Sequence, residues 1–135
     1  MQTALIKNEQ DLDTAVSLLQ SGELVAVPTE TVYGLCANGL DAEAVAALYE
    51  LKGRPEVKPL SLMVPDETSL NRYATQIPAA AELLAEKFWP GPLTLILPAR
   101  TDVIPSIVRA GGNTIGLRCP DSPWHYRSCA VCRSL

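Results

Sequence analysis

The chain has 135 residues, 47% of them hydrophobic and 19% charged, and its formal net charge is −4. This length suits one domain with a real core, and the composition excludes the disordered class. The negative charge argues against a protein that holds nucleic acid by bulk positive charge. No apolar run reaches the ~18 residues of a membrane span, and the first residues lack a signal-peptide pattern. We therefore expect a cytoplasmic protein whose four cysteines are thiols.

Predicted helices and short apolar strands alternate along the chain, which is typical of an α/β fold. Apolar residues three or four positions apart mark the helices, and short apolar runs mark the strands. In chain order, we predict a helix over 9–20, a strand over 24–27, a helix over 42–51, a strand over 60–64, a short helix over 67–73, a helix over 78–89, and strands over 93–97 and 115–117.

Residues at the predicted helix ends support these boundaries. Asn8 and Asp41 are candidate N-caps of the first two helices. Gly53 stops the second helix, and Pro78 suits the first turn of the last one. We place Tyr49 on the apolar side of the second helix.

A polar stretch follows the first predicted strand. Pro28 ends the strand because proline cannot donate to a sheet ladder. The next residues bring three hydroxyl groups and a carboxylate, on Thr29, Thr31, Tyr33 and Glu30. Since ligands of open α/β sheets bind beyond the carboxyl ends of strands, this stretch is a candidate ligand site. The alternative is a turn whose hydroxyl groups bond to their own backbone.

Lys52, Arg54 and Lys58 form a cluster of cations at a helix end and in the irregular loop that follows. Gly53 lets the backbone approach a ligand closely. The Arg54 fork matches phosphate oxygens, and the lysines act as compact charges. A local cluster in an acidic chain indicates a specific anion. The alternative is that Lys52 complements the helix dipole while the other two cations are solvated.

Residues 122–135 contrast with the rest of the chain, because they contain no acid, the only histidine and two of the four cysteines. They show no helical or strand period. We interpret them as an atypical tail, unstructured or non-native. Four side chains could in principle bind zinc, although one CxxC is a weak signal and we predict no metal site. These four are Cys119, His125, Cys129 and Cys132.

Four motifs occur in a specific order, namely PTETVYGL at 28–35, KGRPEVKPL at 52–60, WPGPLT at 89–94 and TIGLRCP at 114–120. Together they resemble the YrdC-like family of threonylcarbamoyl-AMP synthases, over about residues 15–121. The resemblance implies a twisted open α/β sheet with flanking helices and a concave cationic cavity.

The resemblance also implies a nucleotidyltransferase, which forms threonylcarbamoyl-AMP and pyrophosphate from L-threonine, bicarbonate and ATP. This reaction initiates the N6-threonylcarbamoyladenosine modification of tRNA, so downstream tRNA-modifying proteins are expected partners. Mg²⁺ is expected on the ATP phosphates. Such a transfer relies on positioning and charge neutralisation more than on a covalent nucleophile. It requires no carboxylate base, which leaves Glu30 a structural role.

Residue by residue, the resemblance implies that Thr31 contacts L-threonine and that Thr29 and Tyr33 shape its pocket. Arg118 would bind the threonine carboxylate. Met63 stands where some relatives carry a histidine that contacts threonine, so this chain lacks the imidazole for that contact.

The same resemblance assigns the ATP phosphates to Lys52, Arg54 and Lys58, with Lys52 and Arg54 as the catalytic pair. Thr114 would be a further contact to ATP. These cations suit a reaction that must bring two anions together and release pyrophosphate.

One departure from the family concerns the end of the chain. The family carries a Ser-x-Asn motif on a strand after Arg-x-Pro, and nothing after Pro120 supplies it. We therefore expect an incomplete YrdC-like domain over 1–121, truncated or frameshifted, with one bare sheet edge, and an atypical tail over 122–135. Three functions stay open: the synthase, a protein that binds tRNA or double-stranded RNA or assists ribosome assembly, and an inactive fragment of the enzyme.

Overall fold

The computed structural model describes residues 11–53, 55, 57–122 and 133–134, together with positions 3, 5, 7 and 8. Helices pack against two β-sheets in this part of the chain. Within these residues, none of the helices has the length and hydropathy that a membrane span requires.

Short helices and strands follow one another along the chain, with one turn of 3-10 helix over Glu67–Ser69. Their bounds are α1 Leu12–Gln20, β1 Val25–Pro28, β2 Tyr33–Cys36, α2 Ala42–Lys52, β3 Ser61–Met63, α3 Leu70–Tyr73, α4 Ala79–Phe88, β4 Thr94–Pro98, β5 Thr114–Arg118 and β6 Arg133–Ser134.

The strands form a hairpin and a separate mixed sheet. β1 and β2 run antiparallel as a two-stranded sheet, with Val25 opposite Cys36 and Pro28 opposite Tyr33. The other strands form a four-stranded sheet in the order β4-β5-β3-β6. In this sheet β3 and β5 are parallel, whereas β4 and β6 run antiparallel to their neighbours. The predicted α/β class is therefore confirmed.

Helix α2 shows how the local sequence sets the boundaries of an element. The carboxylate of its N-cap, Asp41, accepts hydrogen bonds from the backbone N–H groups of Glu43 at 3.0 Å and Ala44 at 3.3 Å. Gly53 ends the helix with a φ of 59°, which glycine adopts without a steric penalty. The predicted cap and the predicted stop are both confirmed.

Two apolar clusters hold these elements together. The larger draws on α2, α3, α4 and the strands β3, β4 and β5, and residues such as Leu48, Ile115 and Leu117 in it are almost fully buried. The smaller joins α1 and the hairpin to β3. Its buried members are Ala15, Leu19, Val25, Val27, Cys36 and Met63. Because burial of apolar surface contributes about 25 cal/mol per Å², this smaller cluster holds the hairpin against the rest of the domain.

Strand β2 is the main element that the sequence analysis misses. It predicts a loop after the first strand, whereas the chain makes a tight turn and returns as a strand that begins at Tyr33 and includes Gly34. Glycine is depleted in strands, and the four residues YGLC contain no β-branched side chain. Pairing with β1 therefore decides this strand, and the local sequence does not.

Helix α1 covers Leu12–Gln20, and residues 9 and 10 of the predicted helix lie outside the described residues. Asp11 occupies the N-cap position, and Asn8 Oδ1 accepts a hydrogen bond from the Asp11 backbone N–H at 3.2 Å. This side-chain bond to an N–H three residues later is one that an N-cap makes, and the capping role of Asn8 stays a prediction. The other predicted helices and strands agree with the structure within one residue at each end.

The end of the chain contributes a strand that the sequence does not predict. Arg133–Ser134 forms β6, which pairs antiparallel with Ser61 and Leu62 of β3. The expectation of a tail without a strand and of a bare edge is therefore wrong at these two positions. Strands pair through backbone groups, and a strand of two residues is too short to show an alternation of side chains in the sequence. The domain boundary at residue 121 stays a prediction.

Replacing Asp41 with alanine should lower the free energy of unfolding by about 1 kcal/mol, because two backbone N–H groups lose their acceptor. Asp41→Asn is the matched control, since an amide oxygen caps about as well as a carboxylate. Urea denaturation followed by circular dichroism measures both variants. If Asp41→Ala and Asp41→Asn lowered the free energy of unfolding equally, the charge of Asp41, and not its capping hydrogen bonds, would stabilise α2.

Candidate active site

One face of β5 carries predicted site residues at both of its ends. Side chains alternate along the strand, so that Ile115 and Leu117 are buried while Thr114 and Arg118 lie on the opposite, accessible face. Four residue steps separate these two by about 13 Å along the strand. The face can therefore receive two parts of one ligand.

Gly116, between these two residues, makes room for side chains of the neighbouring strands. A Cβ atom at this position would stand 3.0 Å from Ser61 Oγ on β3 and 3.2 Å from Thr94 Cγ2 on β4. A side chain would fit only if these neighbours moved. The missing side chain thus lets Ser61 and Thr94 of the two neighbouring strands pack closely over β5.

The turn between β1 and β2 satisfies much of its own hydrogen bonding through Thr29. Its Oγ1 accepts hydrogen bonds from the backbone N–H groups of Thr31 at 3.3 Å and Val32 at 3.2 Å, and donates to the Val32 carbonyl at 2.5 Å. This is the self-bonded turn that the sequence leaves open as the alternative to a ligand site. Thr29 therefore shapes the turn, and Thr31 is the hydroxyl that reaches the sheet.

An ion pair joins this turn to the end of β5. Arg118 Nη2 lies 2.5 Å from Glu30 Oε1 and donates a second hydrogen bond to Thr31 Oγ1 at 3.3 Å. Only 16% of the Arg118 side chain and 21% of the Glu30 side chain are exposed, so the pair is better shielded from water than a surface salt bridge. The pair brings Thr31 and Arg118, two predicted contacts of L-threonine, into one site.

Two further hydrogen bonds reinforce this junction. Glu30 Oε2 accepts from the Asp121 backbone N–H at 3.0 Å, and Ser122 Oγ donates to the Pro28 carbonyl at 3.1 Å. Pro28, Glu30, Arg118, Asp121 and Ser122 together form what we call the hairpin seam. The seam ties the start of the turn to the segment that follows β5.

Glu30 is held in its ionised form at the seam. Burial acts to raise the pKa of the Glu30 carboxyl group, but the hydrogen bond and charge of Arg118, together with backbone N–H groups, hold this pKa below its ordinary value of 4.5. The ion pair therefore persists at neutral pH.

A buried tyrosine bonds to the backbone of the loop that carries Lys58, which we call the cationic loop. Tyr49 is 2% exposed, and its hydroxyl donates to the carbonyl groups of Lys58 at 2.8 Å and Ile107 at 3.2 Å. These bonds fix the loop backbone, while the side chains of Lys52 and Lys58 remain exposed. Lys52 also lies in the last turn of α2, where a cation complements the helix dipole.

The residues predicted for L-threonine are only partly brought together. Thr31 and Arg118 meet at the seam, and Thr29 supports them by fixing the turn. Tyr33 is 75% exposed at the start of β2. Met63 is 3% exposed within the smaller apolar cluster, where it packs against the hairpin.

The residues predicted for ATP are spread over three places. Lys52 ends α2, Lys58 lies in the loop before β3, and Thr114 begins β5. All three are exposed, and the contacts of the described residues do not link them to Arg118. Arg54 lies outside the described residues, so its predicted role stays a prediction.

Cys119 follows the seam arginine but is held in an unreactive state. Burial, assisted by nearby carboxylates, raises the pKa of its thiol to about 11, and the thiol donates to the Pro65 carbonyl at 3.4 Å. Since the thiolate is the nucleophile and the metal ligand, this thiol is neither at neutral pH. The other zinc candidates, His125, Cys129 and Cys132, lie outside the described residues. Within the described part, no group of three or more potential ligands could hold a metal ion.

The sequence analysis does not predict the site roles of three residues that hold the site together. Glu30 receives only a structural role, Tyr49 only a place on an apolar helix face, and Asp121 only a position at the domain end. Glu30 carried one usable signal, because a carboxylate among hydroxyl groups invites a cation. Its partner, Arg118, is 88 residues away in sequence, and such a separation gives no spacing to read.

The fold and the site define an α/β protein with an open mixed sheet, a cationic loop and an arginine–carboxylate seam at the end of a central strand. The family model Sua5/YciO/YrdC, described as telomere recombination, matches residues 17–135. The chain belongs to this family, which confirms the resemblance drawn from the four motifs.

Two curated relatives bear the name threonylcarbamoyl-AMP synthase. The Pyrococcus abyssi protein is 46% identical over 112 residues, which cover 83% of this chain and 33% of the relative. The Bacillus subtilis protein is 44% identical over 119 residues, which cover 88% of this chain and 34% of the relative. The chain thus spans about a third of the length of these relatives.

Solved structures agree with this assignment. The crystal structure of P. abyssi Sua5 complexed with L-threonine matches with a TM-score of 0.88 at 38% identity, over 96% of this chain and 39% of that chain. The structure of Escherichia coli YciO matches with a TM-score of 0.82 at 22% identity, over 96% of this chain and 65% of that chain, and supports the fold alone.

Replacing Glu30 with glutamine should make the stability of the protein less dependent on pH in acid. Because the folded-state pKa of Glu30 is lowered, the ionised group stabilises the fold above its ordinary value of 4.5, and this contribution is lost as the pH falls through the folded pKa. The difference in free energy of unfolding between the original chain and Glu30→Gln should be constant above about pH 6 and shrink below the ordinary pKa.

Urea denaturation at a series of pH values measures this difference. Glu86→Gln, which changes an exposed carboxylate on α4, is the control and should show a smaller pH dependence. If the difference in free energy of unfolding between the original chain and Glu30→Gln did not change in acid, the ion pair would not form in solution.

Replacing Tyr49 with phenylalanine should lower the free energy of unfolding by about 1 kcal/mol, because the hydroxyl that bonds to the loop carbonyls is lost. Tyr33→Phe is the matched control, because Tyr33 is 75% exposed and should cost little. Chemical denaturation of both variants measures the effect. Similar stabilities of the two would argue against Tyr49 as the anchor of the loop.

Proposed function

We propose that this chain carries the active-site face of a threonylcarbamoyl-AMP synthase. The reaction joins L-threonine, bicarbonate and ATP to give threonylcarbamoyl-AMP and pyrophosphate, and it makes the protein a nucleotidyltransferase. The relatives' name and the structure of P. abyssi Sua5 complexed with L-threonine support this proposal. Proteins that transfer the threonylcarbamoyl group to tRNA would consume the product, and a cytoplasmic location stays a prediction.

The observation that carries the proposal is the meeting of Arg118 and Thr31 at the seam. A guanidinium has five N–H donors, and the described hydrogen bonds of Arg118 use only Nη2. Its Nε is buried and has no partner among the described residues. Nη1 takes part in none of the described hydrogen bonds, so a carboxylate bound there would add a charge-assisted hydrogen bond. The hydroxyl of Thr31 lies beside it for a polar group of the same amino acid.

The phosphates of ATP are assigned to the cationic loop. Lys52 and Lys58 are exposed, Tyr49 anchors the backbone at Lys58, and Arg54 would add a fork that matches phosphate oxygens. Thr114, at the other end of β5 from the amino-acid site, would contact the nucleotide. Mg²⁺ would arrive with the ATP phosphates as part of the substrate.

These positions suit the bond changes of the reaction. The threonine amine and bicarbonate form a carbamate with release of water. A carbamate oxygen then attacks the α-phosphorus of ATP while the bond from this phosphorus to the bridging β-phosphate oxygen breaks and pyrophosphate leaves. Arg118 would hold the threonine carboxylate, and the loop cations would offset the charge of the phosphates. Positioning and electrostatic stabilisation of this kind account for most catalysis of phosphoryl transfer.

The test is release of pyrophosphate by the purified chain from ATP and bicarbonate, with and without L-threonine. We expect release that depends on threonine. Release that ignores threonine would refute the assignment. Binding of tRNA with a steep salt dependence, in the absence of threonine-dependent release, would favour the RNA-binding alternative.

Replacing Arg118 with lysine should weaken L-threonine binding about tenfold or more and leave ATP binding nearly unchanged, because a charged hydrogen-bonding fork is lost at one end of the face. Lys58→Ala and Arg54→Ala should show the reverse preference, with the larger loss of ATP affinity in Arg54→Ala. Isothermal titration calorimetry with each ligand measures both affinities.

Lys87→Ala is the control for a general loss of positive charge, because Lys87 is an exposed cation on α4. Neither affinity should change in this variant. If Arg118→Lys and Lys58→Ala each weakened the binding of L-threonine and of ATP equally, the two ends of β5 would not be separate subsites.

A further inference from the structure

We infer that Glu30 is the positioning residue of the amino-acid site, because it fixes the position of Arg118 on one sheet relative to Thr31 in the turn of the other. The inference rests on the proposed function, since it takes Arg118 as the group that receives the substrate carboxylate. It adds a role in substrate binding to a residue that does not itself touch the substrate.

The first observation is topological. Thr31 belongs to the hairpin turn and Arg118 to the four-stranded sheet, and in the described part of the chain these are separate sheets. Sheet hydrogen bonds therefore do not fix the distance between the two side chains. The smaller apolar cluster holds the hairpin against the domain. Because apolar contacts are not directional, they do not fix the exact position of the hairpin relative to the four-stranded sheet.

The second observation is that Glu30 is held at two points. Oε1 accepts from Arg118 Nη2 at 2.5 Å, and Oε2 accepts from the Asp121 backbone N–H at 3.0 Å. A carboxylate fixed at both oxygens cannot rotate to release the guanidinium. Glu30 thereby orients Arg118 while it uses only one of the guanidinium nitrogens, which leaves Nη1 outside the described hydrogen bonds for a second carboxylate.

The third observation concerns charge. An arginine without a carboxylate partner would attract any anion, including the phosphates of ATP. The carboxylate of Glu30 neutralises Arg118 at the seam and so favours a zwitterionic amino acid there over a multiply charged anion. The same ion pair thus positions the site and separates the amino-acid end of β5 from the nucleotide end.

The test compares Glu30→Ala, Glu30→Gln and Ser122→Ala by calorimetric titration with L-threonine and with ATP. Ser122→Ala is the matched control, because it removes a seam hydrogen bond to Pro28 that does not involve Arg118. Thermal melting of each variant reports its stability. The side-chain Nε–H signal of Arg118 in a nitrogen-15 NMR spectrum, assigned with Arg118→Lys, reports the orientation of the guanidinium.

We expect Glu30→Ala to weaken L-threonine binding about tenfold or more, to shift the Arg118 signal, and not to weaken ATP binding. Glu30→Gln retains an oxygen for Arg118 and should recover part of the affinity. Ser122→Ala should lower the melting temperature without changing threonine affinity. If Glu30→Ala does not fold, the comparison of Glu30→Gln with Ser122→Ala decides the question in the same way.

Two results would overturn the inference, and they are distinguishable. Unchanged threonine affinity in the Glu30 variants, with a loss in Arg118→Lys, would show that Glu30 does not position the site while the proposed function stands. Equal losses in Ser122→Ala and Glu30→Ala would show a general role in stability. Failure of the original chain to bind L-threonine would overturn the proposed function and this inference together.

Discussion

The ion pair between Glu30 and Arg118 is the contact on which the arrangement of the site depends. It joins a hairpin and a mixed sheet that are separate in the described part of the chain, at the point where the turn of one meets the strand end of the other. An ion pair of this kind contributes little to stability when it is exposed. Its importance lies in geometry, because it fixes one sheet relative to the other where a ligand must contact both.

Stability and geometry are divided between two kinds of interaction at this junction. The cluster around Val27, Cys36 and Met63 removes apolar surface from water and holds the hairpin against α1 and the sheet. The seam contacts above it are directional, because each hydrogen bond requires a defined distance and angle. Met63 belongs to the apolar part, so at this position the chain uses a side chain for packing where the family resemblance points to a ligand contact.

The proposed function assigns a different ligand contact to each end of one strand. β5 carries Arg118 at one end and Thr114 at the other, and Ser61 and Thr94 of the neighbouring strands pack over Gly116 between them. A reaction that joins an amino acid to a nucleotide needs this layout, because two anionic reactants must be held close and still be kept apart until the bond forms. The family relationship is established over residues 17–135, whereas the relatives are about three times longer than the matched part.

Local chemistry in the sequence determined most of the elements. Asp41 and Gly53 bound α2 because capping and left-handed backbone depend only on the residues nearby, and the apolar runs of β3, β4 and β5 identify buried strands. The motifs around Thr31 and Arg118 likewise indicated the family and two residues that do meet in the structure.

Tertiary structure decided what depends on distant partners. The strand from Tyr33 to Cys36 exists because β1 pairs with it, and the two-residue strand β6 exists because β3 offers an unpaired edge. The seam role of Glu30 required a guanidinium 88 residues away, and the anchoring role of Tyr49 required carbonyl groups on two loops. Sequence patterns record the neighbours of a residue along the chain, whereas these contacts are set by folding, which brings remote backbone and charge together.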